Sequence, residues 1–250
     1  MRDEFSNYFS ARSNENVQLK LNPVLLNLFN QFDIFPRELT HRVDSYQGKY
    51  IIGIGLVDAK TSVRLTFDFS REYDEFCLIH HQTGIERLSL NCLERLKLIP
   101  DLAAQIAQTI KALGPDYFAV HIRNTDYQTD YKVFFEAMKN EVRDNRLLVC
   151  SDDAACINFA KNFFGQTEIL TVSNIPDTKA TPLHYYVFKS GVNAFEINKS
   201  ILIDLIALSL SKKLFISKLT NGQTSGFSML AAMLNKRNDI VQSLLGICCP

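Results

Sequence analysis

The chain has 250 residues, 46% of them hydrophobic, and balances 27 Lys+Arg against 27 Asp+Glu. That is apolar material for one large domain or two small ones and excludes wholesale disorder. A net charge of zero argues against an extended nucleic-acid surface, which carries a basic excess, but leaves room for one localized anion pocket.

Residues 1–19 are polar and read as frayed. The charged start Met1-Arg2-Asp3-Glu4 has no apolar run of the signal-peptide kind, and no segment reaches the ~20 apolar residues of a membrane span. The best apolar run, Ile201 to Leu210, is short and contains Asp204. Leu21 to Phe32 predicts a short helix with Pro23 in its first turn. Tyr50 to Leu56 and Val63 to Phe69 are β-rich and flank Asp58-Ala59-Lys60-Thr61, a hairpin signal. Gly53-Ile54-Gly55 is a glycine pair inside a strand, with no phosphate role. Glu75 to His81 predicts a further strand. Residues 89–98 and 101–113 predict helices split by Pro100, the second with Leu102, Ile106, Ile110 and Leu113 at helical spacing.

From residue 117 the pattern is regular. Strands are expected at 117–123, 146–150, 168–172 and 213–217, and helices near 130–143, 154–164, 198–211 and 226–235. A loop with Pro176, Pro182 and Gly191 precedes the third of these helices. Strands alternating with helices imply parallel βαβ units with right-handed crossovers. The expected class is α/β: a Rossmann-like domain over 115–250 behind a smaller, less regular α/β region over 1–114, divided near Gly114-Pro115. Cys77, Cys92, Cys150, Cys156, Cys248 and Cys249 form no CxxC pair, and the first three lie in apolar runs. They read as free thiols of a cytoplasmic protein.

Four segments carry candidate chemistry. Tyr117-Phe118-Ala119-Val120-His121-Ile122-Arg123-Asn124-Thr125-Asp126 puts a buried run ahead of an imidazole, a guanidinium and a carboxylate. They lie at the carboxyl end of a strand, where open α/β sheets bind ligands. Arg123 there suits a phosphate, since its planar fork donates paired charged hydrogen bonds; it equally suits a salt bridge to Asp126. Ser151-Asp152-Asp153 opens a helix, with Ser151 or Asp152 as N-cap, or reaches a ligand from the strand edge. Asp204, alone in an apolar helix, either accepts N–H groups of a base from a buried position or lies on a solvated face. Thr224-Ser225-Gly226-Phe227-Ser228 starts a helix whose free N–H groups favour an anion, or is plain capping by Ser225 or Thr224. His80, His81 and His184 lie at no metal-ligand spacing and read as structural or surface residues.

In this order, Val120-His121-Ile122-Arg123 with Thr125-Asp126-Tyr127, Cys150-Ser151-Asp152-Asp153, Ile201 to Ser209, Leu214-Phe215-Ile216-Ser217 and Ser225 to Ala231 resemble the GDP-fucose-dependent fucosyltransferases. These are the nodulation and core α-1,6-fucosyltransferases and the protein O-fucosyltransferases. The resemblance covers residues 117–245 and implies a GT-B-like pair of Rossmann-like domains and inverting transfer of fucose from GDP-fucose to a glycan or other hydroxyl acceptor. It implies neither metal nor resident cofactor. Carried over residue by residue, Arg123 would hold the β-phosphate; His121 and Asp204 would contact the nucleoside, Asp204 chiefly the guanine; Ile201 would line the base. Ser225 and Ser228, with the backbone around Phe227, would contact phosphates. The sequence departs from the family pattern at Asn124, where many members carry a second arginine. It also lacks the glycine-rich loop Gly-x-Gly-Asn-x-Leu. No catalytic base stands out; Asp126 and Asp130 are candidates. The alternatives are a non-catalytic nucleotide-sugar-binding protein of the same fold and a transferase using another nucleotide sugar.

Overall fold

The computed structural model describes residues 4–12, 28–29, 31–51, 54–68, 70–81, 90, 92–174, 176–178 and 181–246. Two compact units divide the chain: Ser13–Cys92, and Met1–Arg12 together with Leu93–Pro250. In chain order the larger unit opens with strand β1 (Phe9–Ala11). The smaller unit carries β2 (Ile34–Phe35), β3 (Gly48–Ile51), β4 (Gly55–Asp58) and β5 (Cys77–Leu78). The larger unit resumes with β6 (Leu96–Leu98), α1 (Pro100–Leu113), β7 (Tyr117–Ile122), α2 (Tyr131–Val142), β8 (Arg146–Ser151), α3 (Ala154–Phe163) and β9 (Ile169–Leu170). It closes with α4 (Leu183–Ser190), α5 (Ala194–Ser209), β10 (Lys213–Ile216), α6 (Gly226–Lys236) and α7 (Asn238–Leu244).

In the smaller unit β3 and β4 form an antiparallel hairpin, and β2 pairs in parallel with β5. The hairpin lies one strand earlier than expected. Residues 58–61 make a local turn in which Asp58 accepts from the Thr61 amide and hydroxyl, and the 63–69 run contributes only the bridge Val57–Arg64. Asp58 is fully buried against Arg42, at 3.0 Å, and that guanidinium holds its carboxyl well below the usual range. Gly55 takes φ 99°, a glycine conformation, at the hairpin turn. The 75–81 strand shrinks to two residues. Of the expected 21–32 helix, residues 21–27 and 30 lie outside the described residues, as do Gly53, Cys248 and Cys249; 28–29 are helical. Cys92 is exposed, so its apolar neighbours do not make it a core thiol.

Two further expectations fail for packing reasons. The amino terminus is not frayed throughout. Tyr8 is buried, stacks on Phe195 with centroids 5.2 Å apart and accepts from Asn198 at 3.0 Å, and β1 pairs antiparallel with β6. Residues 96–98 leave the expected 89–98 helix to form β6, because Leu96-Lys97-Leu98 alternates and buries both leucines. Pro100 then opens α1 at its first turn and Gly114, φ 75°, closes it. The division expected near Gly114-Pro115 therefore falls inside the larger unit.

The centre of that unit is a parallel sheet in the order β10-β7-β8-β9. Numbered within the sheet this is 3-2-1-4, the order of half a dinucleotide-binding fold, with the switch point between β7 and β10. Side-chain alternation divides β7 and β8 between two cores. Val120, Ile122, Leu147 and Val149 pack with Phe135 of α2 and Ala160 of α3. Tyr117, Ala119, Leu148 and Cys150 pack with Ala207 and Leu208 of α5 and Ala231 of α6. Burial on both faces explains why these strands read as continuous apolar runs. The expected 198–211 helix starts four residues sooner, because Asn193 caps it through the Phe195 amide at 3.0 Å; α4 and α7 were not expected. No helix among the described residues is long and apolar enough to cross a membrane.

Candidate functional site

The switch point places two loops side by side at the carboxyl edge of the sheet: the exit of β7 and the link from β10 to α6. His121, near the end of β7, faces the α5/α6 side by alternation with Tyr117 and Ala119. Its Nδ1 lies 2.7 Å from the Ser228 hydroxyl, and its ring packs at 4.8 Å on Phe227. Burial first, and the nearby Arg123 charge second, push its pKa down to about 3, so the ring is neutral at physiological pH.

Two residues on, Arg123 stands at the edge with 29% of its side chain exposed. Its Nε and Nη2 donate to the two oxygens of Asp126, each at 2.8 Å, and Nε lies 3.2 Å from Asp152. The salt bridge to Asp126 is thus present, with a second carboxylate added. Asp152, 6% exposed, also accepts from the Asn124 amide at 2.7 Å and the Thr125 hydroxyl at 2.6 Å. Asn124 points to the opposite side: its amide nitrogen donates to Asp153 at 2.8 Å, and its oxygen accepts from the Thr129 amide. The helix cap is Asp153, accepting from the Ala155 amide at 2.9 Å, and not Ser151 or Asp152 as expected. Asp130 caps α2 through the Val133 amide.

On the far side of the switch point, Ser225 is the N-cap of α6 but makes no side-chain capping bond, although only 8% is exposed. The first N–H groups of α6 have no intrahelical acceptor and carry the positive end of the helix dipole. Ser217, at the end of β10, donates to the His121 carbonyl at 3.3 Å and ties the two loops together.

Asp204 lies one strand over. It shares a stripe of α5 with Ile201, Ala207 and Leu208, beside Cys150, which pairs with His121 in the ladder. Only 6% exposed, it accepts from the Ser173 hydroxyl at 2.8 Å through Oδ2, while Oδ1 is buried with no partner among the described residues. Burial raises its pKa to about 7, offset by the Ser173 hydroxyl and the neighbouring Cys150 thiol. An orphaned buried carboxylate oxygen is costly, and a ligand N–H is one way to satisfy it.

No protein-family model matches the chain, and no curated protein matches it. Solved structures do. The selenomethionine form of the fucosyltransferase NodZ from Bradyrhizobium superposes with a TM-score of 0.53 at 14% identity, over 92% of this chain and 75% of that one. NodZ α-1,6-fucosyltransferase soaked with GDP-fucose gives 0.52 at 15% over the same shares. In a further NodZ structure from Bradyrhizobium the match has a TM-score of 0.44 at 16% identity, covers 66% of this chain and spans only 53% of that one. At these identities the likeness is one of fold: a mixed α/β chain with a parallel sheet.

Of the residues singled out in the sequence, His121, Phe227 and Ser228 are in direct contact, and Arg123 joins Asp126 beside them. Asp204 is held apart, across Cys150. Sequence reasoning missed Asp152 as the anchor of the β7 exit and Ser173 as the partner of Asp204. Two adjacent aspartates where a helix needs one cap hinted at the first; nothing local marks the second.

Proposed function

We propose that the carboxyl edge of this sheet binds a GDP-sugar, and that the chain is a GT-B-like, inverting, metal-independent glycosyltransferase using GDP-fucose or a related donor on a hydroxyl acceptor. The observation that carries the reading is the buried Oδ1 of Asp204, which has no hydrogen-bond partner among the described residues beyond the neighbouring Cys150 thiol and lies one strand over from the switch point that presents Arg123 and the start of α6. A carboxylate there is a fitting acceptor for the paired N–H donors of guanine and a poor one for uracil. Arg123 and the free N–H groups at Gly226, Phe227 and Ser228 offer donors to a diphosphate. The likeness of fold to structures of a fucosyltransferase, one soaked with GDP-fucose, supports the choice of donor.

In this reading His121 is a neutral wall of the site, locked by Ser228 and Phe227. Arg123 would stabilise charge gathering on the departing diphosphate. Calorimetry with GDP and UDP tests the reading: GDP binds and UDP is at least tenfold weaker. Absence of GDP binding, or equal affinity for the two, contradicts it.

A second reading has its own observation. Asn124, in place of the second arginine that many such transferases carry, is committed to Asp153 and Thr129 and is unavailable to a phosphate. A non-catalytic nucleotide-sugar-binding protein of the same fold meets this. GDP binding with neither transfer nor hydrolysis of GDP-fucose across an acceptor panel would favour it.

A further inference from the structure

A guanidinium has two edges able to donate paired hydrogen bonds: the side edge of Nε and one Nη2 hydrogen, and the end edge of Nη1 and the other Nη2 hydrogen. In this chain the side edge is closed. Nε and Nη2 of Arg123 meet the Asp126 carboxylate at 2.8 Å each, and Asp152 stands 3.2 Å from Nε. Among the described residues the end edge has no acceptor.

We propose that Asp126 is a positioning residue: with Asp152 it grips Arg123 by its side edge, so that the end edge is the one offered to the ligand diphosphate. The role rests on the GDP-sugar reading above and deepens it. A carboxylate placed only to balance the arginine would be redundant, because buried Asp152 already does so. The second carboxylate adds geometry. It fixes the plane of a long, flexible side chain before the ligand arrives, which removes an ordering cost from binding.

The surrounding loop is built to hold that geometry. The Thr129 hydroxyl accepts no slack from the β7 exit: it donates to the Arg123 carbonyl at 2.7 Å. Asp152 fixes the Asn124 amide at 2.7 Å and the Thr125 hydroxyl at 2.6 Å. Asp126 is itself oriented by the Tyr127 amide at 3.0 Å. The Asn124 side chain braces the same loop from behind, through Asp153 and Thr129. In this role Asp126 acts through Arg123, to which both of its oxygens are committed.

A double-mutant cycle tests the proposal. Dissociation constants for GDP, GMP and inorganic pyrophosphate are measured for the wild type, Asp126→Ala, Arg123→Ala and the double variant. Thermal midpoints and GMP binding report folding. Asp126→Ala weakens GDP and pyrophosphate by about three- to tenfold, in the lower part of the range of coupling between contacting groups, while GMP changes by less than about twofold. Asp126→Asn, which keeps one acceptor oxygen, falls between. The double variant binds GDP no more weakly than Arg123→Ala alone. Tighter GDP binding by Asp126→Ala would show the carboxylate competing with the phosphate and overturns the proposal, as does an additive cycle. If the wild type binds pyrophosphate but not GDP, the GDP reading fails and the pyrophosphate cycle alone decides the role of Asp126. If the wild type binds neither, both fall.

Discussion

Replacing Asp204 by asparagine isolates the cost of keeping a carboxyl group behind the sheet. Burial moves this group from 3.8 to about 7. About three pH units at about 1.4 kcal/mol each come to about 4 kcal/mol. The sign follows from proton uptake: between these values the folded protein holds a proton that the unfolded chain has released. The penalty is therefore absent below about pH 4, grows as pH rises, and is complete above about pH 7. Asparagine keeps an acceptor for the Ser173 hydroxyl and removes the charge, but it leaves an amide N–H₂ unpaired at a cost of about 1–3 kcal/mol. The net expectation at pH 8 is a variant more stable by about 1–3 kcal/mol. At about 2–4 °C per kcal/mol for chains of this size, that is a rise of roughly 2–12 °C in Tm. At pH 4.5 the same variant is equal to the wild type or weaker. Thermal melts by circular dichroism from pH 4.5 to 8.5 give the comparison. A variant less stable at pH 8, or a difference that does not change with pH, is incompatible with a raised carboxyl pKa at Asp204.

GDP affinity tightens by up to about tenfold per unit as pH rises from 6 to 7 and levels off above that, because the ligand N–H groups need the ionised Asp204; calorimetry in buffers of different ionisation enthalpy shows proton release near pH 6.5. Arg123→Ala weakens GDP by about ten- to a hundredfold, a charged hydrogen bond being worth about 1.5–3 kcal/mol, and lowers the melting midpoint because buried Asp152 loses its paired cation. The His121 ring, held at about 3 by burial and by Arg123, gives imidazole NMR shifts that are flat from pH 5 to 8. Because that value lies below the ordinary one, His121 contributes stability that is present above about pH 6.5 and lost as pH falls toward 3. Asp152→Ala, which strips two acceptors from the β7 exit, speeds exchange of the Asn124 amide while amides within β8 stay protected.

The parallel sheet was legible because β7 and β8 are buried on both faces and their sequences are unbroken apolar runs. The two-residue strands β2, β5 and β9 are too short to carry a period: β2 has no counterpart among the expected elements, and the runs 75–81 and 168–172 are wider than the strands they contain. Residues 96–98 read as helix because a Leu-Lys-Leu triplet fits a helical stripe as well as a strand; only its pairing with 9–11, far away in sequence, decides. The site was legible in its residue types and less so in its partners. The residue types at His121, Arg123, Asp204 and Ser225 mark the carboxyl edge. The ties that orient them, from Asp152 to the β7 exit and from Ser173 to Asp204, span 27 to 31 positions and leave no local pattern. The burial of Asp204 leaves no mark on the period of its helix, which is apolar almost all round.

A structure of the protein with GDP bound shows where the nucleotide sits. The expected complex has guanine N–H groups on Oδ1 of Asp204, with the diphosphate between the end edge of Arg123 and the first N–H groups of α6. A GDP molecule bound elsewhere, or an Asp204 that stays buried without a ligand contact while GDP is present, contradicts it.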